Sequence, residues 1–216
     1  TVNLIVDSKK RERVKIYHSA THLLHASLRK ILGANVTQKG SLVSFDRLRF
    51  DFSYSKSISD IDIKKIENVA NKIIKQNEKV NISIMAYKKA VEKGAMALFG
   101  EKYEDEVRVV SMGKEENKPI FSMELCGGTH VNKTSEINDI KIIKQSSVAS
   151  GIRRVEALSG NDLSNYIKAE KEIIFVREKE KKNKKEREKL DEKKKIDSLE
   201  DPSKNILIEG NENAIK

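Results

Sequence analysis

Between Val176 and Leu190 thirteen consecutive residues carry no apolar side chain, and a stretch of that kind has nothing to bury. Any core must therefore be built almost entirely from the residues before it. From Lys168 to Glu200 there are 13 Lys/Arg and 10 Asp/Glu, with Glu178/Lys182 and Glu180/Lys184 at the four-residue spacing that supports an isolated helix. The reading is one long charged helix from Asn161, whose early apolar residues Leu163, Ile167, Ile173 and Ile174 pack against something, and which Pro202 ends. Residues 1–167 then form one domain, 168–200 a charged helical linker, and 201–216 the start of a carboxy-terminal region that is cut short.

The first 167 residues alternate helical and strand patterns. Ile16, Ala20, Leu23, Leu24, Leu28, Ile31 and Leu32 recur at helical spacing between Val14 and Leu32, and Gly33 follows as a stop signal. Ser41–Phe52 reads as two antiparallel strands broken at Asp46-Arg47. Ser59 and Asp62 form a capping signal before Ile63, Ile66, Val69, Ala70, Ile73 and Ile74, the apolar stripe of a second helix. Strands follow near Ile82–Met85, Val107–Ser111, Ile120–Leu125, Ile140–Lys144 and Ile152–Leu158, with a short helix near Lys88–Lys93. Thr1–Asp7 reads as a strand entered midway, as in a piece of a larger protein. The class is α+β: a mixed, largely antiparallel sheet with packed helices, followed by the long charged helix.

Cys126 is the only cysteine, so no disulfide forms within the chain, and a reduced, cytoplasmic setting fits. No stretch approaches the roughly twenty apolar residues of a membrane span. Residues 1–167 hold 28 Lys/Arg against 20 Asp/Glu, an excess of 8 out of the chain's +10. A polyanion is a fitting partner, although a lysine-rich composition drifting basic explains the charge equally well.

His18 and His22, four residues apart on the first helix, project from one face and can reach one ion. Cys126 and His130 are again four apart, with Gly127 and Gly128 between them to let the backbone turn. Two nitrogens from a helix with a sulfur and a nitrogen from a strand-end loop suit zinc. A small buried hydrophobe and a catalytic thiolate are the other readings of Cys126, but no base stands out for a nucleophile. His25 shares the face of His18 and His22, and spacing leaves the choice among the three histidines open.

Six segments carry a family resemblance: His18-Ser-Ala-Thr-His-Leu-Leu-His25, Gln38-Lys-Gly-Ser-Leu-Val43, Leu48-Arg-Phe-Asp-Phe52, Lys93–Tyr103, Cys126-Gly-Gly-Thr-His-Val131 and Gly151–Ala157. In this order they resemble the editing domain of alanyl-tRNA synthetases. The two metal motifs are similar to those of threonyl-tRNA synthetases and free-standing editing proteins as well, whereas the block from Gly94 to Tyr103 points to the alanyl family. The resemblance implies zinc held by His18, His22, Cys126 and His130, with His25 outside the ligand set. It also implies hydrolysis of serine or glycine wrongly attached to alanine tRNA. The expected partners are that tRNA and the remaining domains of a synthetase, with oligomerisation through a carboxy-terminal region, and no membrane.

A pocket that accepts alanine rejects glycine or serine only weakly, since one methyl or hydroxyl changes binding by ~1–3 kcal/mol, so a second, hydrolytic site is needed. Thr21, Gln38 and Ser41 sit in the matched motifs and are the candidates for recognising the serine hydroxyl. The bland alternatives are that Thr21 bonds its own helix and Ser41 shapes a turn. Arg153 and Arg154 are candidate tRNA contacts, or else pair with carboxylates inside the fold. Other functional classes compatible with these features are a free-standing alanyl-type editing protein, a zinc-stabilised tRNA-binding module without catalysis, and a helical interaction element with an accessory domain.

Overall fold

The computed structural model describes residues 2–97, 102–115 and 119–199, with 197–199 described by backbone alone. Residues 98–101 of the Lys93–Tyr103 motif, Pro202 and the whole of 201–216 lie outside the described residues. The chain divides into two units, Thr1–Asn165 and Tyr166–Lys216.

The first unit begins with helix α1 (Ser8–Leu32), capped by Asp7, whose carboxylate accepts the Lys10 N–H at 3.0 Å. That cap starts the helix six residues before its apolar stripe does. The stripe at Val14 marks where burial begins and not where hydrogen bonding begins. Val2–Val6 is not the expected strand: it makes no ladder, and Val2, Leu4 and Ile5 are over four-fifths exposed. Gly33 closes α1 with φ 115°, donating its N–H to Arg29 O, as its position predicts.

Strands β1 (Gln38–Val43) and β2 (Leu48–Ser53) form an antiparallel hairpin, closed by Ser44 N–H to Arg47 O at 3.0 Å. Helix α2 (Asp60–Lys75) is capped by Ser59, which accepts the Asp62 N–H at 3.1 Å. Then come β3 (Asn81–Ala86), α3 (Tyr87–Glu92), β4 (Glu106–Met112), β5 (Ser122–Leu125), a 3-10 turn at Thr134–Ile137, and β6 (Ile140–Ala149) with β7 (Ile152–Ser159). The α+β class holds. The strands divide into two antiparallel sheets rather than one, however: β1-β2-β7-β6 and β3-β4-β5. Alternation within a strand says which face is buried, but not which sheet the strand joins.

Helices α1 and α2 pack on the four-stranded sheet. Leu23, Leu24 and Leu28 from α1, Ile66 and Ala70 from α2, Phe50 and Phe52 from β2, and Val155 and Ala157 from β7 are all excluded from solvent in one cluster. Each large member contributes roughly 1.5–3 kcal/mol by leaving water. A smaller cluster of Ala90, Ala95, Val107 and Val109 serves the three-stranded sheet. Tyr17 ties the unit's ends together: its hydroxyl lies 2.9 Å from Asp162 Oδ2 and donates either there or to Asp46 O at 3.0 Å.

Helix α4 (Gly160–Leu199) crosses from the first unit into the second. Leu163 is buried, but Ile173 and Ile174 are half exposed, against the expectation that both pack. Lys184 and Glu188, four residues apart, approach to 3.9 Å in the apolar-free stretch. None of the described helices is long and apolar enough to cross a membrane.

Candidate metal centre

Helical spacing places His18 and His22 one turn apart on α1, on the side facing the end of β5. Cys126 follows that strand directly, and its N–H is held by Arg108 O at 3.0 Å. Arg108 also reaches over the loop from β4, donating to Cys126 O at 2.6 Å and Gly128 O at 2.8 Å. The loop then delivers His130 to the same point. One donor atom from each of His18, His22, Cys126 and His130 lies within 4.8 Å of the others. Cys126 Sγ is 3.4 Å from His18 Nε2 and 3.3 Å from His130 Nε2.

The two glycines of the loop are not equivalent. A Cβ on Gly128 would collide with the His18 ring, 2.7 Å from Nδ1, whereas one on Gly127 would meet nothing within 4 Å. Gly128 is required by close approach and Gly127 is not.

Whether the residues fit a metal is decided by the far side of each imidazole. His18 Nδ1–H donates to Thr129 O at 3.1 Å, His130 Nδ1 meets Ser19 Oγ at 3.1 Å, and His22 Nδ1–H donates to Glu124 Oε2 at 2.5 Å. All three rings thus present Nε2 to the centre, with the other nitrogen fixed by an oxygen, the arrangement that orients metal-bound histidines. His22 Nε2 is buried and has no hydrogen-bond partner among the described residues. The electrostatics agree. Burial alone would raise the Cys126 thiol, but hydrogen bonds from His130 and His18 and the nearby charge of His22 pull it down to about 3. Burial opposes charge on His22, yet the Glu124 carboxylate and the thiolate push it up to about 10. Thiolate and carboxylate together thus favour a cation between them, and the four donors can hold a metal ion.

His25, left open by spacing alone, is not in the cluster. Its Nδ1–H donates to the other oxygen of Glu124 at 3.1 Å, and its ring lies 5.0 Å from that of Phe50. Glu124 and Arg108 are the residues that sequence reasoning missed.

The centre forms one wall of a pocket of about 120 Å³ lined by Thr21, Gln38 and Ser41 together with His18, His22 and Cys126, so the three candidate recognition residues share a cavity with three of the four cluster residues, His130 lying outside its lining. The Thr21 hydroxyl donates to Tyr17 O at 2.8 Å, a bond to its own helix. Gln38 Nε2 donates to Ser41 Oγ at 3.3 Å. Arg153 and Arg154 do not line this cavity. They stand on β7 opposite Phe52 and Asp51, and the Arg154 guanidinium grips Asp51 through two bonds of 2.7 Å.

The family model for the threonyl and alanyl tRNA synthetase second additional domain matches residues 107–156, which include Arg108, Glu124, Cys126 and His130. The chain is 54% identical to an alanine–tRNA ligase of Chelativorans sp. (strain BNC1) over 170 residues, which cover 77% of this chain and 19% of that relative. It therefore spans about a fifth of the length of the protein it matches. Identity of that degree extends well beyond the matched domain, and it places the chain in the alanyl-tRNA synthetase family, as a segment carrying the second additional domain.

Proposed function

We propose that this chain removes serine and glycine from wrongly charged alanine tRNA, hydrolysing the ester to the terminal adenosine at the pocket beside a zinc ion held by His18, His22, Cys126 and His130. The observation that carries this reading is the shared cavity, where three members of a metal-type cluster and three polar side chains from two motifs line one small space. On this reading residues 1–167 form the editing domain and 168–200 a charged linker.

Because the Thr21 hydrogen is committed to Tyr17 O, its oxygen offers only lone pairs to the pocket. A serine hydroxyl or the substrate's amino group can donate to it. The methyl of alanine would cover the same oxygen without a partner, at a cost of roughly 1–3 kcal/mol, while glycine leaves room for water there. Gln38 and Ser41, bonded to each other on β1, present an adjustable pair of donor and acceptor groups at the pocket wall. When bound, zinc supplies Lewis-acid character and joins the two halves of the site. The tRNA phosphates meet the basic surface of the first unit, with Arg153 and Arg154 as contributors. Arg154 does so with the N–H groups that Asp51 leaves free.

The test compares wild type with Cys126→Ala at enzyme excess on serylated, glycylated and alanylated alanine tRNA. Serine and glycine should be released much faster than alanine, and the variant should lose both zinc and release. Equal rates on all three substrates, or unchanged serine removal in a variant shown to be zinc-free, would overturn the proposal. Tight tRNA binding without turnover would instead identify a zinc-stabilised binding module.

A further inference from the structure

Glu124 ends a buried face of β5 two residues before Cys126, with its side chain 11% exposed. Nothing in the hydrolytic reading uses it. Its two oxygens are divided between two imidazoles, Oε2 toward His22 Nδ1 and Oε1 toward His25 Nδ1. One of those rings points its remaining nitrogen at the cluster, and the other is wedged against Phe50 at 1% exposure. We infer that Glu124, anchored from behind by His25, is the positioning carboxylate of the metal centre: it fixes the His22 ring and neutralises the charge that a divalent ion brings into a buried site.

The inference rests on the metal-binding reading of the cluster. A divalent ion with one thiolate and three neutral imidazoles carries a net charge of +1. His22 and His130 are almost wholly buried around it, and an uncompensated charge in such a place is strongly disfavoured. The Glu124 carboxylate brings the sum to zero. Only a carboxylate accepts at both of its oxygens, so glutamine, nearly the same in shape, would turn an N–H toward one of the two imidazole donors. The role of His25 follows from the same geometry. With one oxygen held by a ring buried against Phe50, rotation of the carboxylate would break that bond, and the His22 ring is oriented in turn. Carboxylates placed in this way typically change metal affinity by about 10–100-fold.

The experiment measures zinc affinity by chelator competition and the visible spectrum of the cobalt form, beside thermal melts of the metal-free proteins. Wild type is compared with Glu124→Gln, His25→Leu and His25→Asn, the last of which keeps an N–H near the position of Nδ1. Glu124→Gln should bind zinc about 10–100-fold more weakly and show shifted cobalt bands at saturation. His25→Leu should weaken binding in the same direction, and His25→Asn should restore most of it. Wild-type affinity and spectrum in Glu124→Gln would overturn the inference, as would His25→Asn being as impaired as His25→Leu. That histidine pair decides the matter if Glu124→Gln does not fold. Failure of wild type to bind either ion would instead overturn the metal-binding reading on which the inference stands.

Discussion

Replacing Gly128 by alanine should damage the metal centre, while the same change at Gly127, one residue away, should not. A Cβ at Gly128 would sit 2.7 Å from His18 Nδ1, where ordinary contact begins near 3.4 Å. Clearing Nδ1 alone takes 3.4 − 2.7 = 0.7 Å, and Cε1, the ring atom nearest the new carbon, overlaps it further, so the ring must retreat or the loop must lift by clearly more than that. Either movement disturbs the bond from His18 Nδ1–H to Thr129 O and the approach of His18 Nε2 to Cys126 Sγ. Forcing a carbon into packed surroundings costs roughly 1–3 kcal/mol, which corresponds to a loss of about 2–12 °C in Tm for a unit of this size. One ligand held off its position should lower zinc affinity by at least about tenfold. Chelator competition and thermal melts with and without zinc measure both effects. Gly127→Ala is the control, since its new methyl meets nothing within 4 Å. The reasoning fails if both variants bind zinc as wild type does, or if Gly127→Ala is the more damaged.

Three other outcomes are expected. Arg108→Met removes the donors to Cys126 O and Gly128 O and should destabilise the unit by roughly 2–4 kcal/mol, read as a lower urea midpoint; an unmoved midpoint contradicts the clamp. Asp51 is held below the usual carboxylate range, chiefly by the hydrogen bonds from Arg154 and against the opposing effect of burial. A depressed folded pKa contributes stability that is complete above the unfolded value, near pH 4, and is lost as pH falls through the folded one. Asp51→Asn should therefore flatten the acid end of the stability curve, and an unchanged curve in acid melts would remove Asp51 from it. Affinity for alanine tRNA should fall steeply with salt, and Arg154→Ala should lower stability more than it changes that slope; binding that is flat from low to physiological salt contradicts a phosphate-led interface.

The two principal helices, the Ser59 and Gly33 caps and most strands were legible because these residues and the apolar stripes act over a few residues, whereas the Asp7 cap was read as part of a strand. Two four-residue spacings and a single cysteine marked the cluster, but spacing left His25 as a rival to His18 and His22, and the choice between them rested on the family resemblance. Glu124 was not legible. In Ser122-Met123-Glu124-Leu125 the apolar residues suggest that Met123 and Leu125 face inward, yet Ser122 and Glu124 are the buried pair. What inverts the pattern is the presence of His22 and His25, about a hundred positions earlier, as partners for a buried carboxylate. Arg108 was hidden in the same way, since its acceptors are main-chain carbonyls of a loop 18 and 20 residues on, and carbonyls leave no mark in a sequence. The division into two sheets depends on pairings between strands far apart in the chain, which alternation does not encode.

The spread of the ligands along the chain has a thermodynamic side. His18 and Cys126 are 108 residues apart, and they stand on the helix that covers one sheet and on the loop that leaves the other. An ion shared between them joins the two halves only in the folded state, so it stabilises that state by mass action, by about 2.7 kcal/mol at a hundredfold excess over Kd. Stripping the metal should therefore loosen the joint between the sheets before it loosens either sheet. Amide hydrogen exchange would rise first along β5 and its following loop while β2 and β7, locked in the large core, stay protected. Ion occupancy, set by two short motifs, would in this way govern how firmly the two sheets are joined.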